Sequence, residues 1–159
     1  MQIKLAALAD IPSICSLYRE FWRYNADLQP EYYQEATESG EYPKSVISSE
    51  TSGIFLAEKN SGIVGMIHVR ESQTLDVEPV VRHKFAEVVE LIVTAPHRRK
   101  GAGALLMNAA AEWGRARGLD YIELFVLSDA VGEKHFYEQY GFDTVSQNMR
   151  YKLKGKCDF

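Results

Sequence analysis

A mostly apolar stretch at 86–94 is followed, three residues later, by a basic turn that contains two glycines and then by an amphipathic segment. The stretch reads Ala-Glu-Val-Val-Glu-Leu-Ile-Val-Thr, and its β-branched residues predict a buried strand. The turn at 98–103 reads Arg-Arg-Lys-Gly-Ala-Gly. A helix is predicted over 101–117, with Gly118 suited to its C-terminal end. Its apolar stripe comprises Leu105, Leu106, Ala109 and Trp113.

The turn at 98–103 has the features of a phosphate-binding site. Gly101 and Gly103 have no Cβ, so main-chain N–H groups there can approach an anion closely. The helix that follows presents its unpaired N–H groups and its positive dipole end to the same point. Arg98, Arg99 and Lys100 add positive charge. A solvated basic turn that only caps the helix is the alternative, and this pattern leaves both open.

Two common nucleotide-binding motifs do not fit the turn. A P-loop requires a Lys followed by Ser or Thr after the glycines, and the chain has neither there. A dinucleotide fingerprint requires a third glycine, whereas position 106 is Leu. Both interpretations are therefore disfavoured.

The remaining elements follow from the same periodicities. Strands are predicted over roughly 2–7, 53–59, 63–70, 120–127 and 142–153, and helices over 11–23, 30–38, 43–50 and 132–140. The mixture indicates an α/β fold with a mixed sheet and helices on its faces. The length of 159 residues fits a single domain over 1–159.

Composition narrows the function classes. A net charge of -4 argues against binding nucleic acid or anionic membranes through overall charge. We expect no membrane-spanning segment and no secretory leader. Cys15 and Cys157 are far apart, and four scattered histidines show no ligand spacing, so we expect no metal. A reducing, cytoplasmic setting is expected.

Residues 87–103 resemble motif A of the GNAT superfamily of acyl-CoA-dependent N-acetyltransferases, Gln/Arg-x-x-Gly-x-Gly/Ala after a strand. Arg98, Gly101 and Gly103 fill that pattern. Residues 136–142, Phe-Tyr-Glu-Gln-Tyr-Gly-Phe, resemble motif B, Phe-Tyr-x-x-x-Gly-Phe. The resemblance implies a GNAT-like fold, in which a mostly antiparallel twisted sheet splays between its fourth and fifth strands and carries helices on both faces.

The resemblance also implies acetyl-CoA as co-substrate. The pyrophosphate of the coenzyme is expected on the turn formed by Arg98, Arg99, Lys100, Gly101, Ala102, Gly103 and Ala104. The pantetheine arm is expected to pair, like an added strand, with the main chain of Leu91 and Val93 beside Ile92. Plain sheet core is the other interpretation of 91–93, and the two are compatible.

Catalytic roles are implied in the same way. Tyr137 aligns with the family's general acid, which reprotonates the thiolate of coenzyme A. A phenol with a pKa of about 10 is a suitable proton source for a thiolate whose thiol has a pKa of about 8.5. Tyr140 is a competing candidate. A carboxylate is expected to take the proton of the amine, with Glu87 ranked slightly ahead of Glu90. Strict alternation puts Glu87 and Glu90 on opposite faces, although the bulge of the family strand would change this. A solvated carboxylate at the end of the strand is the alternative.

Motif B departs from the family pattern at two positions. Ala130 and Glu133 stand where the family often has Asn and Ala. The Asn usually contributes a polar contact near the pantetheine. Ser128 or Asp129 could replace it, or the contact is absent.

The acceptor is predicted from residues 27–58, which hold seven acidic residues and one basic residue. With Tyr24, Tyr32, Tyr33 and Tyr42 nearby, such a segment would attract a cationic amine on a small molecule or peptide. A solvated helix face is the alternative for Glu31, Glu35 and Glu38. The predicted function is acetyl transfer to a primary amine by direct attack in a ternary complex. A non-catalytic acyl-CoA sensor is the rival, and a homodimer paired through 142–153 stays open.

Overall fold

The computed structural model describes residues 1–154, so Cys157 lies outside the described residues. The strands are β1 (Gln2–Leu5), β2 (Ser52–Lys59), β3 (Gly62–Gln73), β4 (Lys84–Val93) and β5 (Ile122–Leu124). The helices are α1 (Ile11–Leu28), α2 (Glu41–Ile47), α3 (Ala102–Ala116) and α4 (Val131–Tyr140). Short 3-10 turns at Leu8–Asp10 and Ala95–His97 precede α1 and follow β4.

The strands form one mixed sheet in the order β1-β2-β3-β4-β5. Neighbours are antiparallel from β1 to β4, whereas β5 runs parallel to β4. β5 pairs only with Ala86–Val88, although β4 continues to Val93. Within the described residues, the end of β4 therefore has no neighbouring strand on that side. This confirms the predicted mixed sheet that opens between its fourth and fifth strands.

Helices cover both faces of the sheet. On one face α1 and α2 pack on the sheet, in a cluster with Ile14, Leu17, Tyr18, Val46, Ile54, Leu56, Met66 and Ile92. On the other face α3 packs in a cluster with Ile67, Val69, Ala86, Val88, Leu106, Met107 and Ala110. Because successive side chains of a strand point to opposite faces, Met66 and Ile67 enter different clusters.

One extra residue in β4 changes its alternation. His68 of β3 pairs with Glu90, and the next residue, Val69, pairs with Val88. Val89 therefore has no partner on β3 and forms a bulge. The bulge that the family resemblance implied is thus present. It places Glu87 and Glu90 on the same face of the sheet, the face that α1 covers.

The strand predicted over 142–153 is wrong. Residues 143–154 have no regular secondary structure, and every one of them is exposed. A strand requires a neighbour for its backbone groups, and this segment lies beside none of the five strands. The strand predicted over 120–127 is also shorter, because only Ile122–Leu124 pair with β4.

The helix predicted over 30–38 is wrong as well. α1 continues to Leu28, and Pro30 follows its end instead of opening another helix. Beyond it, the N–H groups of Tyr32 and Tyr33 close a single turn on Gln29, and no helix continues from there. Residues 31–37 are all exposed, so no apolar face is buried that would stabilise a short helix.

Candidate functional site

In the turn between β4 and α3, six consecutive main-chain N–H groups make no well-formed hydrogen bond within residues 1–154. For the N–H groups of residues 99–104 no acceptor lies at a suitable distance and angle, and the first helical bond runs from Leu105 N to Gly101 O at 3.1 Å. These groups include the orphan donors of the first turn of α3, where the helix dipole is positive. An anion-binding turn requires this geometry.

Two residues of the turn have left-handed backbone conformations. Gly101 has φ +85°, and Arg99, with φ +57°, is the one non-glycine residue of positive φ in residues 1–154. A Cβ at Gly101 would meet nothing within 4 Å, so glycine serves the backbone conformation there and leaves open space above it. At Gly103 a Cβ would lie 3.3 Å from Phe136 Cζ. The second glycine therefore lets α4 approach α3.

The basic side chains of the turn are directed partly back onto the protein. Arg98 Nε donates to Val93 O at 2.8 Å, and Arg98 Nη2 lies 3.4 Å from Glu20 Oε1. Lys100 Nζ donates to the carbonyl oxygen of Pro96 at 2.7 Å. Arg98 thus ties the turn to the end of β4 and to α1, so its first role is to shape the turn.

The open edge of β4 exposes main-chain groups beyond the bulge. Ile92 pairs with β3, and Thr94 N donates to a β3 carbonyl at 2.9 Å. Because successive residues of a strand direct their N–H and C=O groups to opposite sides, those of Leu91 and Val93 face the gap that β5 leaves. Arg98 occupies one of these acceptors, Val93 O. Ile92, also predicted as a contact, is buried in the core under α1.

Glu90 lies in a largely buried polar cluster on the α1 face. Its Oε2 accepts a hydrogen bond from Tyr18 Oη at 3.2 Å and is hydrogen-bonded to His68 Nδ1 at 2.8 Å. Tyr42 Oη lies 3.4 Å from the same His68 nitrogen. His68 is 2% exposed, and its Nε2 has no partner in the described chain. Burial, followed by the charge of Glu90, raises the pKa of Tyr18 far above its usual value, so its hydroxyl keeps the proton that it donates.

Glu87 is held on both of its oxygens. Oε2 accepts hydrogen bonds from Arg70 Nε at 2.8 Å and Ser72 Oγ at 2.9 Å, and Oε1 accepts one from Arg70 Nη2 at 3.1 Å. Burial acts to raise the pKa of Glu87, but these hydrogen bonds and the charge of Arg70 outweigh it, and the pKa lies below its ordinary value. By contrast, Oε1 of Glu90 accepts no hydrogen bond within residues 1–154.

The two tyrosines of α4 have different surroundings. Tyr137 packs edge-on against Phe136 and Phe142, with ring centroids 5.3 and 5.7 Å apart, and its hydroxyl has no partner in the described part of the chain. Burial, aided by the charge of Glu133, raises the pKa of Tyr137 well above its usual value. Tyr140 Oη instead donates to Asn108 Oδ1 at 2.7 Å. Tyr137 is therefore the tyrosine whose proton is uncommitted.

The positions that depart from motif B connect α4 to α1. Tyr24 Oη donates to Glu133 Oε1 at 2.8 Å, and Gln29 Nε2 donates to Asp129 Oδ2 at 3.0 Å. Burial and the hydrogen bond to Glu133 raise the pKa of Tyr24 to about 12. Ala130 is buried. Asp129 and Glu133 are thus engaged in holding the end of α1 against the start of α4.

The acidic segment is partly neutralised by the chain itself. Glu31 Oε2 lies 2.6 Å from Lys152 Nζ, and Glu35 Oε2 lies 3.6 Å from Arg23 Nε. The guanidinium carbon of Arg150 lies 4.3 Å from the centroid of the Tyr32 ring. Such exposed pairs add little stability, but they reduce the local field that would attract a cation.

Sequence analysis missed Tyr18, His68 and Arg70. His68 and Arg70 are alternate residues of β3, and both face carboxylates of β4 across the ladder. A signal was present, since a histidine and an arginine two positions apart follow an apolar stretch of strand. Which carboxylates they meet depends on the bulge, which no local pattern reveals.

Within residues 1–154, no group of three or more Cys, His, Asp or Glu side chains is placed to hold a metal ion. None of the helices in that range combines the length and apolar character required to cross a membrane.

The chain belongs to the acetyltransferase (GNAT) family, whose model matches residues 11–142. It is 28% identical over 157 residues to the uncharacterized N-acetyltransferase YhfO of Bacillus subtilis, covering 96% of this chain and 97% of that protein. Against five other curated N-acetyltransferases, the first from Methanocaldococcus jannaschii, the chain spans only about half of their length, 47–58%.

Solved structures share the fold. A point mutant of the BH1408 protein of Bacillus halodurans has a TM-score of 0.92 at 21% identity, covering 97% of this chain and 100% of that chain. AAC(6')-Iy, in complex with the bisubstrate analog CoA-S-monomethyl-acetylneamine, has a TM-score of 0.74 at 12% identity, covering 97% and 98%. At these identities the likeness establishes the fold alone.

Proposed function

We propose that this protein transfers an acetyl group from acetyl-CoA to a primary amine by direct attack in a ternary complex. One observation carries the proposal: the six consecutive N–H groups of residues 99–104, which make no well-formed hydrogen bond within residues 1–154, lie at the start of α3 next to the free edge of β4. Membership of the acetyltransferase family and the CoA-containing bisubstrate analog bound by AAC(6')-Iy support it.

The coenzyme would bind mainly through the main chain. The amides of 99–104 and the positive end of α3 suit the diphosphate, and the open space above Gly101 leaves room for it. The pantetheine arm would add to β4 as a strand, using the groups of Leu91 and the N–H of Val93. Arg99 and Lys100 would contribute a favourable field. Holding the thioester beside the amine would supply most of the rate enhancement.

Glu90 is the residue that we assign as base. The amine must lose a proton before its nitrogen attacks the thioester carbon, and the contacts of Glu90 leave Oε1 able to receive that proton directly or through water. Glu87, ranked first from the sequence, is held by Arg70 and Ser72 on both oxygens, and its lowered pKa makes it a weaker base. We therefore assign Glu87 to positioning Arg70 at the edge of the cluster.

Tyr137 is the residue that we assign as acid. When the C–S bond breaks, its hydroxyl would donate a proton to the sulfur, and the phenol is protonated throughout the physiological pH range. Its raised pKa does not by itself disfavour the transfer, because the burial that raises the pKa of the phenol would also raise that of a thiol placed beside it.

The acceptor is proposed to be a primary amine on a small molecule or peptide. Tyr42 borders the approach to Glu90, since its hydroxyl is near His68 and its ring stacks edge-on against Tyr18 and His68. An ammonium arriving there would meet an aromatic ring and a carboxylate.

The proposal is tested with the purified full chain. Calorimetric titration of CoA and acetyl-CoA should show saturable binding, and free-thiol release should depend on an amine from a panel of amino acids, polyamines, aminoglycosides and peptides. Binding without thiol release across the panel would support the sensor. Absence of binding would contradict both functions.

A further inference from the structure

His68 is a fully buried polar side chain in the cluster around Glu90. It is 2% exposed, and its Nε2 has no hydrogen-bond partner within residues 1–154. A buried nitrogen without a partner costs free energy that an apolar side chain of similar size would avoid. The stability of the fold therefore does not account for a histidine at this position.

The other ring nitrogen of His68 faces the candidate base. Nδ1 lies 2.8 Å from Glu90 Oε2. Because an ionised carboxylate has only acceptors, Nδ1 carries the hydrogen of this bond. His68 and Glu90 lie directly opposite each other on β3 and β4, next to the bulge at Val89. The backbone ladder therefore fixes the distance between the two side chains.

We propose that His68 is a positioning residue for Glu90: its N–H holds Oε2 in place and thereby leaves Oε1 available to the acceptor amine. This inference rests on the proposed function, in which Glu90 is the base. Tyr18 Oη donates to the same oxygen at 3.2 Å, so both hydrogen bonds fall on Oε2. With Tyr18 alone, the carboxylate could turn about its Cγ–Cδ bond and offer either oxygen to the hydroxyl.

The neighbouring carboxylate shows why a histidine suits this role. Arg70, two positions further along β3, donates to both oxygens of Glu87. A guanidinium presents several N–H groups in a planar fork, whereas Nδ1 presents a single one. A single donor leaves one carboxylate oxygen free to receive a proton. The ring of Tyr42 lies edge-on to His68, with centroids 5.9 Å apart, and restrains its rotation.

Three single variants of the full chain test this role. His68→Leu removes the N–H and should lower turnover by about 10–10²-fold, the loss expected when a reacting group is misplaced. Its affinity for CoA should stay unchanged, and its Tm should stay within a few degrees of the wild type. His68→Asn places an amide N–H at the same position along the side chain as Nδ1 and should restore most of the lost turnover. His68→Gln, whose amide lies one bond further out, should not.

The double variant His68→Leu/Glu90→Gln distinguishes positioning from a general loosening of the fold. If His68 acts through Glu90, replacing it should leave the turnover of Glu90→Gln unchanged, whereas loosening would lower turnover by the same factor in both backgrounds. His83→Leu is the matched control. His83 Nδ1 also lies 2.8 Å from a carboxylate oxygen, Asp120 Oδ2, but at the opposite end of β4 from Glu90, so turnover should stay at the wild-type value.

Proton–nitrogen correlation spectra of the full chain, with isotope-labelled histidine, test the hydrogen bond without reference to turnover. The His68 signal, identified by its loss in His68→Leu, should show a hydrogen on Nδ1 and should shift in Glu90→Gln. A hydrogen on Nε2 alone would overturn the proposal.

The activity measurements separate this role from the proposed function. Wild-type turnover in His68→Leu, rescue by Gln instead of Asn, or equal losses in the two backgrounds would remove the role of His68 and leave the acetyl transfer standing. A wild-type chain that binds CoA but releases no thiol with any amine would overturn the acetyl transfer, and with it this role.

Discussion

Replacing Tyr137 with Phe removes one hydroxyl without changing the packing of α4. The ring keeps its contacts with Phe136 and Phe142, and the hydroxyl has no hydrogen-bond partner among the described residues. We therefore expect no measurable loss of thermal stability. If the hydroxyl protonates the departing sulfur, turnover should fall by about 10²–10⁴-fold, the usual contribution of a general acid. Affinity for CoA should stay unchanged.

Tyr140→Phe is the matched control, one turn further along the same helix. Its hydroxyl donates to Asn108 Oδ1 at 2.7 Å, and a bond of this kind contributes about 0.5–1.5 kcal/mol. For a chain of this size, a loss of about 1 kcal/mol lowers the Tm by about 2–4 °C. We expect Tyr140→Phe to lower the Tm by a few degrees and to leave turnover near the wild-type value. Tyr137→Phe should thus lower turnover but not the Tm, and Tyr140→Phe should lower the Tm but not turnover.

Turnover is measured as thiol release at saturating acetyl-CoA, with the amine that the wild-type chain acetylates fastest. Thermal unfolding gives the Tm of each variant, and calorimetric titration gives its affinity for CoA. Wild-type turnover in Tyr137→Phe would refute the assignment of the acid. A large loss of turnover in Tyr140→Phe, with Tyr137→Phe unaffected, would transfer the role to Tyr140.

Three further predictions concern the carboxylates and the turn. Glu90→Gln should lower turnover by about 10²–10⁴-fold with CoA affinity unchanged, whereas Glu87→Gln should lower it less, and the reverse order would restore Glu87 as base. Because the pKa of Glu87 is lowered in the folded chain, its contribution to stability is complete above the ordinary value of 4.5 and is lost as pH falls through the folded pKa. Glu87→Gln should therefore reduce the acid sensitivity of the Tm in that window. A dependence of the Tm on pH equal to that of the wild type would contradict this. Gly101→Ala and Gly118→Ala, at φ +85° and +67°, should each lose about 1–2 kcal/mol of stability. Only Gly101→Ala should also weaken CoA binding. Equal CoA affinities of the two variants in calorimetry would argue against the turn as the site.

Elements whose stability depends on local pattern were predictable from the sequence. The helix predicted over 101–117 spans Ala102–Ala116, and the one predicted over 132–140 spans Val131–Tyr140. Both end close to a glycine, α3 buries an apolar face against the sheet, and the partly buried aromatic side chains of α4 pack on the same cluster. The turn that precedes α3 was predictable for the same reason, since the turn and the start of the helix lie within one continuous stretch.

Elements that depend on a distant neighbour were not predictable. Residues 142–153 have a clear strand pattern, but a strand forms only where an edge lies beside it, and the pattern does not say which edge. The segment at 30–38 has a proline and acidic residues at helical spacing, yet it finds no surface to pack on. In each case the missing information lies in another part of the chain.

The candidate base depends on the bulge at Val89. With strict alternation, Glu90 would point to the face under α3, where an unpaired charge among apolar side chains would be costly. The extra residue turns Glu90 to the opposite face, where Tyr18 and His68 supply hydrogen bonds from α1 and β3. Beyond the bulge, the main-chain N–H and C=O groups also alternate in the opposite phase. As a result Leu91, and not Glu90 or Ile92, directs these groups to the open edge. A single irregularity in β4 therefore places both the carboxylate and the free backbone groups that the proposed reaction requires.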